Sequence, residues 1–411
     1  MSLDSVGKLR ISNSHILENY KVSEVTNISN LDEDILIQLN SVANSTLTYN
    51  SNNYIEIETS DNSSYALMTS KCPLEYITGR SRFIMMSGVL LDRSINGEEV
   101  FESQFGMFDV DSSTPPIITN GVCYKTDGTT LQFSDVSKSS ATTVTQANWN
   151  IDVFDGSGSS GETLTVSSAE TLQLMYISQL WNGGGAIEVG FIIDNILCPA
   201  HLFTHNSLTS QYTPSPQIRA CYYLNSTTIS SSLSQRMMAY SNFTEGTMGS
   251  IGKKLAFNTT YSGVTLATAG TNYVLLALRL KSGFTSSISK LLNISGDLEA
   301  ISGSSAIVQV QLHSTYGSVG TVNGTLSFSS VSNSSSEVAI GDGTQTITSN
   351  GNLISSIVVD IRFEKDFNVD DLYKEICSRY NDTYYDTLIL SIISSNNNSK
   401  CLASMNYLDI I

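Results

Sequence analysis

Apolar residues recur at every second position through much of this chain, which is the period of a strand with one buried face. Tyr54, Glu56 and Glu58 alternate with Ile55 and Ile57, and Ile187, Val189, Phe191 and Ile193 share one side of a seven-residue run. The same reading predicts strands over Ile35–Leu39, Arg80–Leu91, Gln104–Phe108 and Leu172–Leu180. Further along it predicts Tyr273–Leu280, Ala306–Leu312, Gly324–Phe328, Ile354–Phe363, Thr387–Ile393 and a strand-like C-terminal tail. Asp127-Gly128, between Val122–Tyr124 and Leu131–Phe133, reads as a type I′ hairpin turn, because both central residues of that turn need positive φ. Asp194-Asn195 turns the chain from Ile193 into Ile196–Cys198. One helix is predicted, over Val369–Arg379. There Leu372, Ile376 and Tyr380 are spaced by four, with Asp370 and Asp371 near the start.

The elements define an all-β chain of tandem antiparallel β-sandwich, jelly-roll-like domains with a short helix near the C-terminus. Strand signals are weak in residues 1–72, read as an N-terminal arm or docking segment. They are dense from Pro73 to Glu245, giving a first sandwich over 73–245. The glycine-rich join Glu245–Ser250 then opens a second sandwich over 246–411.

Composition agrees. Only 14% of the 411 residues are charged, against roughly 25% in an average domain, and Ser, Thr and Asn carry the polarity instead. A net charge of −17 argues against nucleic acid, whose phosphates require clustered Lys and Arg, and against anionic lipid surfaces. The start MSLDSVGKLRISNS has no apolar segment of the signal-peptide kind, and no run approaches the roughly 20 residues of a membrane helix. The expectation is a soluble protein made in a cytosol. The N-x-S/T sequons at Asn44, Asn242, Asn258, Asn323 and Asn381 then read as composition and not as glycan sites.

Candidate chemistry is sparse. Cys72, Cys123, Cys198, Cys221, Cys377 and Cys401 are scattered, with no C-x-x-C pair for zinc, and read as buried thiols. His201 and His205, with Cys198 nearby, are the most suggestive cluster. Four residues along a strand span roughly 13 Å, too far for one metal, so they read as structural histidines. The loop Asp152–Gly161 lacks both the closing Glu of an EF-hand and the Lys of a P-loop, and reads as a Gly/Ser connection. Gly183-Gly184-Gly185 after Trp181 reads as a flexible turn beside a buried aromatic. Trp149, Trp181 and the many Tyr residues read as core or cross-strand pairs, with sugar stacking as the alternative. No catalytic, cofactor-binding or metal-binding residue is assigned, and no cofactor is expected.

Several segments together carry a resemblance: Val6–Asn13, Gly79–Ser81, Gly106–Asp109, Asp127–Leu131, Gln146–Asp152, Asp155–Gly161, Pro214–Arg219 and Val264–Thr271. In order and spacing they resemble a family of β-rich, virion-associated proteins of tailed phages and large double-stranded DNA viruses. The chain departs from that pattern after Trp181, where Leu-Gly-Val-Gly is usual and Asn182-Gly183-Gly184-Gly185 stands here, and at Ser159, where Pro is frequent. The resemblance implies a virion protein without known catalytic residues. The leading expectation is therefore a structural component of a virus particle, on the capsid, at a vertex or in a tail or fibre. It would pack with other virion proteins and as a homo-oligomer, with a trimer as the fold-level analogy. The alternatives are a host-attachment adhesin binding surface glycans and, third, a glycan-degrading virion enzyme.

Overall fold

The computed structural model describes residues 37–42, 45–50, 54–59, 64–70, 73–74, 76, 81–90, 101–127, 129–166, 171–205, 209–226, 233–244, 252–284, 286–299, 308–314, 322–348, 352–359, 362–366, 375–376 and 387–410. Among them the regular structure is β-strand apart from one 3-10 turn, Gln146–Asn148, and every strand pairing is antiparallel. The chain forms two compact units, 1–70 with 74–249 and 71–73 with 250–411.

In unit 1 the strands are β1 (Ile37–Val42), β2 (Ser45–Asn50), β3 (Tyr54–Thr59), β4 (Tyr65–Ser70), β5 (Arg82–Leu90), β6 (Phe101–Val110) and β7 (Ile118–Thr126). They continue with β8 (Leu131–Ser137), β9 (Ser140–Thr145), β10 (Gln173–Gln179), β11 (Ile187–Ile193), β12 (Ile196–Phe203), β13 (Ala220–Ser226) and β14 (Leu233–Thr244). They form two seven-stranded sheets, ordered β1-β4-β13-β6-β7-β8-β9 (the β1 sheet) and β12-β11-β10-β5-β14-β3-β2 (the β12 sheet). Alternation does the sorting: Ile84 and Met86 of β5, Ile177 of β10, and Val189 and Phe191 of β11 turn inward from the β12 sheet. They meet Phe105, Tyr124, Phe133 and Tyr222 of the β1 sheet. Across this interior Phe191 lies 5.1 Å from Tyr124 and 5.5 Å from Phe154, both edge to face, the arrangement ring quadrupoles favour.

Unit 2 is also a pair of sheets. Its strands are β15 (Lys253–Asn258), β16 (Val264–Leu266), β17 (Asn272–Leu280), β18 (Ile288–Glu299), β19 (Val308–Ser314), β20 (Val322–Asn323) and β21 (Ser329–Ser330). After them come β22 (Ser336–Ile340), β23 (Thr346–Ile347), β24 (Asn352–Val359), β25 (Arg362–Asp366), β26 (Glu375–Ile376), β27 (Leu388–Ser394) and β28 (Ser399–Ile410). One sheet runs β15-β28-β18-β25, with β16 on β28 and β26 on β18; the other runs β20-β23-β17-β27-β19-β24, with β22 on β17 and β21 on β22. Leu276, Leu278, Leu390 and Ile392 from one sheet share a core with Leu291, Ile294, Met405 and Tyr407 from the other. Beside it the buried Asp409 carboxylate accepts from the Ser334 hydroxyl (2.7 Å) and the Ser335 N–H (2.8 Å).

Several expectations change. Of the helix predicted over Val369–Arg379, the described residues Glu375 and Ile376 form a strand paired with Lys290 and Ser289; the others lie outside the described residues. An apolar spacing of four suits a helix, but a sheet edge offers partners for the backbone, and at Glu375 and Ile376 the edge prevails. Gly324–Phe328 is an irregular link between β20 and β21. Ile354–Phe363, one apolar run in sequence, belongs to two strands in different sheets, β24 and β25. The β7–β8 hairpin forms, yet Thr126 pairs with Leu131, so its loop has two residues more than a type I′ turn. There the Asp127 carboxylate accepts the N–H groups of Thr129 and Thr130, both at 2.9 Å, replacing backbone turn bonds with a side chain. Asp194 and Asn195 do form the two-residue turn, with φ of 51° and 64°. From Ile37 onward the segment expected as an arm supplies four strands to the two sheets of unit 1, and residues 1–36 lie outside the described residues.

The aromatic interior sets the first test. Phe191→Ala is expected to cost about 3–5 kcal/mol of unit 1 stability in urea unfolding. Leu172→Ala, at a position 57% exposed, is expected to change it by less than about 0.5 kcal/mol.

Candidate functional site

Which outward face of unit 1 is open decides where a site can lie. On the β1 sheet the outward side chains are themselves buried, Leu67, Gln104, Phe108, Cys123, Cys221 and Tyr223 among them. On the β12 sheet the outward positions are partly open: Tyr54, Glu56, Phe83, Met85 and Arg236 are half-buried.

At the centre of that second face stands Tyr176 of β10. Its ring stacks on Phe83 of the neighbouring β5, with centroids 5.3 Å apart and planes 20° apart, and its hydroxyl donates to Glu188 Oε1 of β11 at 3.1 Å. Gly190 pairs with Tyr176 across the strands, and a Cβ at Gly190 would come within 2.8 Å of Tyr176 Cε1. The glycine is what lets the phenol ring approach β11 and reach the carboxylate. Further across the sheet, Arg236 of β14 donates through Nε to Glu56 Oε1 of β3 at 2.9 Å, with its guanidinium 5.1 Å from the centre of the Tyr54 ring. The face therefore holds two aromatic–carboxylate groupings. In the first, Tyr176 and Glu188 are buried and Phe83 is half-buried; the second is half-buried throughout and adds a cation.

The residues singled out from sequence do not converge. His201 points inward, its Nδ1 accepts the Asn150 N–H at 3.1 Å, and burial pulls its pKa below the ordinary histidine value. Cys198 also turns inward. His205 lies elsewhere, between Asp135 Oδ2, 2.7 Å from Nε2, and the Gly185 carbonyl, 2.8 Å from Nδ1. Both neighbours are acceptors, so the ring fills both bonds only as the doubly protonated imidazolium. It stacks on Tyr212 at 3.8 Å and 9°. Burial lowers its pKa, but the bonds to Asp135 and Gly185 outweigh that, and the net shift is upward. The glycine turn is thus tied by its Gly185 carbonyl to His205, and it closes on itself with the Gly184 and Gly185 N–H groups donating to the Trp181 carbonyl at 3.0 and 2.8 Å.

The Asp152–Gly161 loop is wrapped around its own first residue. Asp152 Oδ1 accepts the Phe154 N–H and Oδ2 the Ser160 N–H, both at 2.8 Å. A Cβ at Gly158 would lie 2.0 Å from Oδ1, so the chain passes directly over the carboxylate. Burial raises the Asp152 pKa, and these N–H bonds more than reverse it. The lone pairs a cation would use serve the loop instead. Trp149 is core, packed 4.8 Å from Phe133, and Trp181 meets Tyr76 edge to face at 6.0 Å.

Among the described residues no group of three His, Cys, Asp or Glu is placed to hold a metal ion, and no helix is long and apolar enough to cross a membrane. Cys123, Cys198, Cys221 and Cys401 are free, buried thiols, and burial pushes Cys123 and Cys401 up to about 12; Cys72 and Cys377 lie outside the described residues. Sequence reasoning missed Tyr176 and Glu188. Their signal was an acid within the otherwise apolar run Ile187–Ile193, on the side opposite Phe191. It also missed Arg82, wholly buried and lowered by burial to a pKa of about 10. Its guanidinium donates to Gln179 Oε1 at 2.7 Å and to the Leu74 carbonyl at 3.1 Å.

No family model matches the chain, and no curated protein sequence does. Among solved structures it is similar to the carbohydrate recognition domain of Emp46p in its potassium-bound form, at 9% identity and TM-score 0.36, covering 55% of this chain and 97% of that one. It is also similar to a legume lectin-like domain from Entamoeba histolytica (8% identity, TM-score 0.32, 52% and 91% covered). A third is an endo-1,3-beta-glucanase from Streptomyces sioyaensis (7% identity, TM-score 0.33, 51% and 89% covered). The likeness concerns β-sandwich architecture, and no residue role is carried over from it.

The His205 geometry predicts a pH dependence. A folded-state pKa above the unfolded value of about 6.5 means the contribution is complete below pH 6.5 and is lost as pH rises through the folded pKa. The wild-type urea midpoint is therefore expected to fall between pH 6 and pH 9. His205→Phe, which keeps the stack on Tyr212 but removes both donors, is expected to flatten that fall. At pH 6 it is expected to cost about 3–5 kcal/mol by stranding Asp135.

Proposed function

We propose that this protein is a glycan-binding adhesion protein, with the outer face of the β12 sheet as its binding surface. The observation that carries the reading is the half-buried Tyr54–Glu56–Arg236 grouping on the more open of the two outward faces, with the half-buried Phe83 ring, backed by the buried Tyr176, on the same face. Sugar rings present C–H faces that pack on aromatic surfaces and hydroxyls that donate to carboxylates, and this grouping supplies both complements side by side. Arg236 adds a donor for acidic or acetylated sugars.

Binding is favoured over hydrolysis by the state of the acids. Glu188 lies four strand positions, about 19 Å, from Glu56 and Glu58 along the described strands of this face. Glu56 and Glu58 share one side of β3 about 7 Å apart, within the roughly 5–9.5 Å of glycosidase carboxylate pairs, but Glu56 is held by Arg236 at 2.9 Å. The setting we propose is the surface of a virus particle, where such a protein would serve as a structural component and host-attachment module at once. That part rests on the sequence resemblance alone.

A glycan array probed with the full chain is expected to give a restricted set of ligands. Glu56→Gln and Phe83→Ala are each expected to weaken the best ligand about tenfold or more, about 1.4 kcal/mol, without changing the far-ultraviolet circular dichroism. An array silent for the wild-type chain, or binding untouched by both substitutions, would exclude this surface. Release of reducing sugar from a bound glycan would exclude the non-catalytic reading.

A further inference from the structure

Two terminal strands of the unit 1 sheets have described side chains, β9 and β12, and the chain treats them in opposite ways. The edge of β12 is closed. Pro199 has no N–H to offer, Asn150 Oδ1 accepts the Leu202 N–H at 2.8 Å, and Asn150 Nδ2 donates to the Leu202 carbonyl at 3.0 Å. The Ala200 carbonyl accepts the N–H groups of Ile151 and Asp152 at 3.1 and 3.2 Å. A side-chain amide thus stands where a neighbouring strand would pair, one of the ways natural sheets prevent association.

Among the described residues no such device protects β9. It ends the β1 sheet, and its pairing within the described residues is with β8 alone. Ser140 to Thr143 are exposed, and the strand Ser140–Thr145 holds neither charge nor proline, nor is its register with β8 broken by a bulge. The turn before it is a two-residue hairpin, with Lys138 and Ser139 at φ of 49° and 64° between paired Ser137 and Ser140. That turn makes Ser140 a hydrogen-bonded partner of β8, so Ala141, Thr143 and Thr145 aim their N–H and C=O groups at the open side.

We propose that β9 is the seam of a two-fold dimer, in which it pairs antiparallel with β9 of a second copy of this chain and joins two seven-stranded sheets into one. Pairing centred on Thr143 sets that residue against its own counterpart and Ala141 against the counterpart of Thr145. Each facing pair exchanges two backbone bonds, about six in all, and the central contact is a threonine–threonine pair, which is favourable across strands. Charge selects the occupant. A chain of net charge −17 repels its own copies, and this edge, carrying no acid, is a place where two copies meet without opposing like charges. Lys138 of each copy lies at opposite ends of the seam. The arrangement is isologous, so it closes at two copies and does not propagate.

Sedimentation of the full chain tests this. The wild type is expected to run as two chains, and Thr143→Lys and Thr143→Pro are each expected to halve the mass with circular dichroism unchanged. The proline removes an N–H that the sheet itself does not use. Oxidation of Thr143→Cys is expected to give a covalent dimer, while Tyr261→Cys, at a fully exposed position of unit 2, stays uncrosslinked. A wild-type chain that is a monomer at concentrations on the order of 100 μM, or an assembly of any size that survives Thr143→Lys, overturns the proposal. Capture of a foreign strand by an otherwise monomeric chain overturns it too. None of these outcomes depends on glycan binding.

Discussion

Phe191 lies where the two sheets of unit 1 close on one another, with its ring 5.1 to 6.1 Å from those of Tyr124, Phe154, Phe133 and Trp149. The contact fixes more than stability. Successive side chains of a strand alternate between faces, so with Phe191 held inward, Glu188 and Gly190 are obliged to face outward. Sheet pairing then carries that choice to β10 and β5, bringing Tyr176 and Phe83 up beside Glu188. The proposed binding surface is in this sense the reverse side of the aromatic core. A slip of one residue would bury the acid and expose the ring together.

A chain so poor in charge uses its buried charges as anchors for loops. Asp152 accepts N–H groups of the Gly/Ser loop, Asp409 the Ser334 hydroxyl and the Ser335 N–H, and Asp135 holds His205 and through it the Gly185 carbonyl. At Asp152 and Asp409 a carboxylate that would be costly to bury alone is surrounded by donors from the segment it orders. Arg82 does the converse, donating from the interior to Gln179 and to the carbonyl of Leu74. These features look like chemistry in sequence, being Asp, His and Gly at close spacing, yet the bonds they make go to the fold, with Asp135 Oδ1 and Arg82 Nε left buried and unbonded.

The open features of unit 1 are therefore few, and they differ in kind. The outer face of the β12 sheet offers side chains, aromatic and acidic, suited to a small polar ligand. The β9 edge offers backbone, suited to another strand. The two lie on different sheets, so ligand binding and association can coexist, and association would raise avidity for a repeated surface glycan.

The sequence by itself determined the strand character of the chain. The alternation through Ile187–Ile193, the turn at Asp194-Asn195 and the long apolar run of β17 are local signals, set by a two-residue period and by φ preferences that need no partner. Where local preference was divided, tertiary structure decided: Glu375 and Ile376 joined a sheet edge, and Ile354–Phe363 was split between two sheets. Only the fold could bring Tyr176 to Glu188 and Asp135 to His205, because those pairs are set by which strands lie side by side and which loops cross a sandwich end. It also made β12 a closed edge and β9 an open one. A one-dimensional pattern records which face a residue takes, but its neighbour across the sheet comes from long-range pairing, which no short window of sequence contains.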